Sequence, residues 1–322
     1  MGAYIARRLA QAVAIVFLVT TLTFIFIHLA PGDPFPIVDT TSITREISDA
    51  NRAKFGLDQP LGVQYVKFLA NVSRGDFGES YLQRRPAMDI LWEKVPATAL
   101  LGGAALLISF CLGVSVGAFQ GLRPKTGWDN ALSIATLAVF SIPVFWFAYV
   151  VLDLFGVRLG LPTGGMSTPL LYESLSPIGK VLDRAKHLFL PATTLGLVGM
   201  ASIARFQRAA MLDVVNREFV RTATAKGLEP RAVAVRHALR NALLPTITLL
   251  GLSLPVLLSG ALFVENVFAW PGLGREAVDA IQKRDYPIVT GAAMLVAVLV
   301  VLGNLLSDIL YRVVDPRTRS TS

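Results

Sequence analysis

Residues 213–245 read DVVNREFVRTATAKGLEPRAVAVRHALRNALLP, and the rest of the chain is organised around this stretch. It is a strongly charged, helix-forming segment lodged between two long apolar runs, Leu188–Ala204 and Leu243–Val264. Its first part, about Asp213 to Lys226, sets Val214, Val215, Phe219 and Ala223 near one stripe at helical spacing. Gly227 then supplies a left-handed residue that ends a helix without a Cβ penalty. Glu229-Pro230 restarts the chain, with proline at a first-turn position where its missing N–H costs nothing. A second helix, about Pro230 to Leu243, carries Arg231, Arg236, His237 and Arg240 around an Ala/Val/Leu stripe. On periodicity and charge alone, the hairpin suits either a docking element or a solvated basic loop between membrane helices.

Composition points to the membrane. The chain is 53% hydrophobic and 16% charged, where a soluble domain carries about 25% charged residues. Its net charge is +8, and the distribution of that charge matters more than the total. The single Cys111 excludes an intrachain disulfide, and His28, His187 and His237 lie too far apart in sequence to suggest a metal cluster. No nucleic-acid module is visible.

Six apolar stretches match the ~20 residues of a spanning helix: Leu9–Ala30, Thr98–Gly121, Ala131–Phe155, Leu188–Ala204 (or on to Leu212), Leu243–Val264 and Ile288–Leu310. The fourth has Pro191 near its start and Arg205 and Arg208 just after it, arginines that can snorkel to headgroups. The first follows Arg7 and Arg8. Its length and the lack of a small residue three positions before any cut predict an uncleaved helix rather than a signal peptide. With the amino terminus inside, the inside segments hold 15 positive and 6 acidic residues. The positive-inside rule therefore predicts cytoplasmic termini and a cytoplasmic 213–245 hairpin.

The first outside segment, 31–97, contains a polar helix-like piece at about Thr44 to Phe55, then Leu57–Tyr65 and Gly75-Asp76-Phe77-Gly78-Glu79-Ser80. Its aromatic residues argue for an ordered aqueous subdomain. In the second span Gly113 and Gly117 permit close helix approach. In the third, Pro143 removes one backbone bond amid Phe140, Phe145, Trp146 and Phe147. Pro245 and Pro255 predict a kink in the fifth. In the sixth, Asp308 is expected to pair with Arg312. The third outside segment reads Val264-Glu265-Asn266-Val267-Phe268-Ala269-Trp270-Pro271-Gly272-Leu273-Gly274. There Phe268 and Trp270 flank a Pro-Gly turn at the expected interface level.

The hairpin resembles the cytoplasmic coupling loop of bacterial ABC-importer permeases of the peptide/nickel branch, the dipeptide and oligopeptide permease B subunits. There the loop reads E-(Y/F)-V-R-T-A-x-A-K-G-L and then V-x-x-R-H-A-L-R-N-A-L-L-P, matched here by Glu218–Leu228 and Val233–Pro245 almost throughout. The wider superfamily carries Glu-Ala-Ala six residues before the glycine. Arg221-Thr222-Ala223 stands there instead, so a salt-bridge role for that glutamate has no counterpart. L-x-x-P-x-x-x-Q-Y, G-D-F-G-x-S and V-E-x-(V/I)-F-x-(W/Y)-P-G-(L/M)-G are similarly matched.

The resemblance implies an all-α polytopic membrane protein with six transmembrane helices, type I ABC importer permease-like. Its parts would be a first span within 1–30, an extracytoplasmic segment at 31–97, a core at 98–310 with a coupling loop at 213–242, and a cytoplasmic tail at 311–322. Implied partners are a second homologous permease subunit, two ABC ATPase subunits that hold ATP and magnesium, an extracytoplasmic substrate-binding protein and the bilayer. Implied coupling residues are Glu218, Phe219, Arg221, Thr222, Ala223, Ala225, Lys226, Gly227 and His237. Asp76, Phe77, Phe268, Trp270, Pro271 and Gly272 are expected to face the binding protein or a partner. Peptides are the expected substrate, with nickel chelates or glutathione as the alternative.

No phosphate-cradling GxxxxGK(S/T) is present, so this chain is not expected to hydrolyse ATP, and no catalytic, cofactor or metal residues are expected in it. An ion-coupled secondary carrier is the rival class. It would show repeated halves and midplane charges, and neither is visible.

Overall fold

The computed structural model describes the backbone of residues 2–35 and 42–314, and their side chains outside 2–9, 42–45, 248–260 and 306–314. Among the described residues the fold is helical, with one isolated antiparallel bridge between Glu79 and Pro86. The helices are α1 (Gly2–Leu29), α2 (Ser42–Lys54), α3 (Leu61–Val72), α4 (Ala87–Leu122), α5 (Gly127–Ser141), α6 (Val144–Val151), α7 (Pro177–Val215), α8 (Glu218–Ala225), α9 (Pro230–Ala232), α10 (Arg240–Val267), α11 (Leu273–Lys283) and α12 (Tyr286–Val314).

Among the described residues, four helices are long and apolar enough to cross a membrane, or five if α5 and the helix after it count as one broken span. The expected fifth span, Leu243–Val264, lies within the 28 residues of α10, whose middle side chains fall outside the described residues. The same holds for Asp308 and Arg312. The third span departs from expectation. Instead of one run it turns through 106° between Ser141 and Val144. Pro143 lacks an N–H and pushes Ile142 into an extended conformation (ψ 130°), so the helix stops and restarts. The second half ends in a π-turn, Leu152–Val157.

The fourth span is also longer than expected. Ser176 caps α7 by accepting from the Gly179 N–H at 3.2 Å, and Pro177 takes the first turn. From there the helix runs 39 residues straight through Pro191. At 1.5 Å per residue that is about 58 Å, against ~30 Å of hydrocarbon. Arg205 and Arg208 therefore lie within the helix, as the longer reading of this span, to Leu212, has them.

The chain divides into two compact units. One comprises Met1–Pro96 and Leu273–Val298. Its polar part is organised by Asp285, whose carboxylate accepts from the Ser80 hydroxyl and from the Tyr81 N–H at 3.1 Å, pinning the turn after the Gly75–Ser80 motif. Phe35, Phe55, Tyr81 and Tyr286 pack in series nearby, stacked between the two phenylalanines and tilted to edge-on beyond them.

The other unit comprises Ala97–Gly272 and Leu299–Ser322. Its core joins α4, α6, α7 and α10 through Leu101, Val151, Leu190, Leu195 and Val264. The glycine spacing on α4 does what its pattern predicts. A Cβ on Gly113 would come within 2.7 Å of Ile203, and Gly117 and Gly121 are closed in by Ala204, Gln207 and Met211 of α7.

Candidate functional site

The hairpin of residues 213–245 is built from three short pieces rather than two helices. Asp213 to Val215 complete α7; the chain breaks at Asn216-Arg217, and α8 then starts at Glu218. Glu218 sits in the first turn of α8, where a negative charge meets the helix dipole favourably. Gly227 has φ +74°, with its N–H bonded to Thr224 O at 3.0 Å. Pro230 opens α9, which continues through a π-turn, Val233–Leu239, into α10. The hairpin is thus joined end to end with two long helices. Such a joint can carry force.

The break at Asn216-Arg217 resets the helical phase. The apolar contact face becomes Val220 and Ala223, packed with Val233 and Val214. Phe219, expected on the inner stripe, points outward at 44% exposed. Ala223 is buried, so it supports the hairpin from within instead of meeting a partner. Glu218, Arg221, Thr222, Ala225, Lys226 and Gly227 are exposed, and His237 is half-buried. At the base, Met211, Ala238 and Ala242 pack with Ala118 of α4.

Just above this base lies an ion pair that sequence reading did not single out. Arg208 of α7 donates from Nε and Nη2 to the two carboxylate oxygens of Asp129, at 2.7 and 2.8 Å. Asp129 is buried at the start of α5. It also accepts from the Lys125 N–H at 2.9 Å and from Gln120 Nε2 at 3.3 Å. Arg205 stacks over the Phe140 ring of α5, its guanidinium carbon 4.0 Å from the centroid. The two arginines therefore lock the first half of the broken span onto α7.

The second set of expected contact residues divides. Asp76 is exposed and Phe77 half-buried, so both remain accessible. Phe268 and Trp270 are 1% and 0% exposed, so both rings are packed inside this chain. Trp270 Nε1 donates to Ala97 O at 2.8 Å, which satisfies its one polar group inside the core. The organiser of this loop is Glu265, fully buried, which accepts from Thr98 Oγ1 at 2.6 Å. A Cβ on Gly272 would collide with the Glu265 carboxylate, so this position takes glycine for space. Pro271 is half-buried and Gly272 buried, so neither Gly272 nor the two rings offer surface to another protein. The motif contained Glu265, but only packing reveals that it faces inward.

Two family models cover most of the chain. "Binding-protein-dependent transport system inner membrane component" matches residues 109–320, and the amino-terminal model of the same kind of component matches residues 1–102. The oligopeptide transport system permease protein AppB of Bacillus subtilis is 38% identical, over 98% of this chain and 99% of its own length. The di/tripeptide transport system permease protein DppB of Pseudomonas aeruginosa is 39% identical, over 99% of both. The fold resembles that of a chain from the inward-facing MetNI methionine ABC transporter, with a TM-score of 0.54 at 19% identity, over 71% of this chain and 97% of that one.

Proposed function

We infer the role of this chain from one premise: it belongs to the family of binding-protein-dependent transport system inner membrane components. It is a multi-pass permease subunit of an ABC importer for di- and oligopeptides, the function named for relatives that align over nearly their whole length. The observation that carries its mechanism is the hairpin, an exposed element that runs on into α10 and meets α7 across the two-residue break at Asn216-Arg217.

In our reading the termini and the hairpin lie on the cytoplasmic side, and the polar part of 31–97 lies outside. ATP and magnesium belong to two ATPase subunits below. A homologous permease subunit completes the pathway, and a binding protein delivers substrate. Glu218, Phe219, Arg221, Thr222, Ala225, Lys226 and Gly227 form the face that seats in an ATPase groove, a helix-in-groove contact. Closure of the ATPase dimer pushes this face. Because α8 is clamped by Val220 and Ala223 and the base by Met211 and Ala238, the push tilts α7 and α10 instead of deforming the loop. The Asp129–Arg208 pair carries the first half of the broken span along with α7. Transport then alternates between two states that nucleotide and loaded binding protein both bias.

The test of sidedness is a cysteine at Thr224, which is exposed, in a Cys111→Ala background. An impermeant maleimide should label it from the cytoplasmic side alone; labelling of intact cells would reverse the topology.

A further inference from the structure

The unit containing Met1–Pro96 encloses a cavity of about 230 Å³ that the coupling mechanism does not use. Its apolar wall includes Phe55, Phe68, Phe77 and Tyr81. That volume falls below the ~300–1,000 Å³ of sites for drug-sized ligands, and suits one bulky amino-acid residue.

Three hydrogen-bond donors line it unspent. Lys67 and Asn71 stand one turn apart on α3, and neither side chain has a partner among the described residues. Tyr81 is only 9% exposed, yet its hydroxyl has no hydrogen bond among the described residues. Burial pushes the Tyr81 phenol above the ordinary tyrosine range, so it stays a donor. The hydroxyl opens into the cavity beside the aromatic wall, where it can donate to a bound acceptor. Asp76 and Glu79 also line the cavity. Glu79 already lies 3.7 Å from Lys54 Nζ, so it is Asp76 that disfavours a simple fatty acid and favours a ligand that carries an ammonium as well as a carboxylate.

We propose that this cavity binds a zwitterionic dipeptide with a bulky apolar carboxyl-terminal residue. The side chain enters the aromatic wall, Lys67, Asn71 and Tyr81 hold the carboxylate, and Asp76 faces the amino group. The choice of a peptide rests on the importer reading above, but the site is argued from the cavity itself.

The probe is Ala-Phe, titrated by saturation-transfer NMR onto the full chain in phosphatidylcholine nanodiscs. We expect its phenyl protons to saturate. Lys67→Ala and Tyr81→Phe should each weaken binding at least fivefold with unchanged thermal unfolding, and so should amidation of the peptide's carboxyl end. Equal affinity in wild type and both variants, or for acid and amide alike, overturns the site. Displacement of Ala-Phe by phosphatidylethanolamine in the disc also overturns it, in favour of a lipid headgroup. Failure of Ala-Phe to bind while the assembled transporter imports it rejects the cavity alone. Absence of any peptide uptake by that transporter rejects the importer reading.

Discussion

Gly227 in the hairpin and Gly272 in the loop after α10 look alike in sequence, each a turn glycine beside apolar helices, and the structure gives them opposite reasons. Gly227 has a positive φ and nothing within 4 Å of where a side chain would begin. Gly272 has ordinary backbone but no room, because the buried carboxylate of Glu265 fills the space. The first glycine shapes a surface, while the second closes a core. The hairpin should therefore tolerate substitution in stability and lose function, whereas the loop should lose stability.

The largest loss should come from Asp129→Ala, which strands Arg208 next to its former partner at the root of the hairpin's lever. Arg208 is 32% exposed, so the loss is that of two charge-assisted hydrogen bonds, on the order of 3 kcal/mol, visible as a lowered thermal midpoint of the purified chain. A midpoint within a degree of wild type would show that the pair holds nothing together. Gly272→Ala should follow, at about 1–3 kcal/mol for overpacking against Glu265, and Glu265→Ala in the same chain should recover part of that loss. No recovery would place the clash elsewhere. Gly227→Ala forces a Cβ into a left-handed conformation, roughly 1–2 kcal/mol, without any steric contact. Thermal unfolding should resolve it as milder than Gly272→Ala. Smallest in stability is Phe219→Ala, on an exposed ring, within about ±0.5 kcal/mol. Its effect should appear in co-purification with the ATPase subunit, and undiminished capture would remove Phe219 from the docking face.

The spans were legible because hydropathy reports burial in lipid directly, and the Gly113/Gly117 spacing because close helix approach leaves few alternatives. Phe219 was assigned inward because its phase was counted from Asp213; the helix break at Asn216-Arg217 moved that face by one residue to Val220. Asp129 and Arg208, 79 positions apart in sequence, gave no local sign of pairing. Arg208 was read as a snorkelling charge, and Asp129 only as one of the inside acidic residues. Trp270 was read as an interface ring because its acceptor, Ala97 O, is 173 positions away. The 106° turn at Pro143 exceeds what one lost hydrogen bond implies, since its size depends on how α5 packs against α7 and α6 against both α7 and α10.

The most direct test is Gly227→Asp in the reconstituted transporter, with hydrolysis stimulated by loaded binding protein measured beside peptide uptake. A chain that reaches the membrane at wild-type level yet loses both stimulation and uptake is the predicted result. Wild-type stimulation and uptake in that variant would contradict the claim that the exposed face of the hairpin receives the work of ATP hydrolysis.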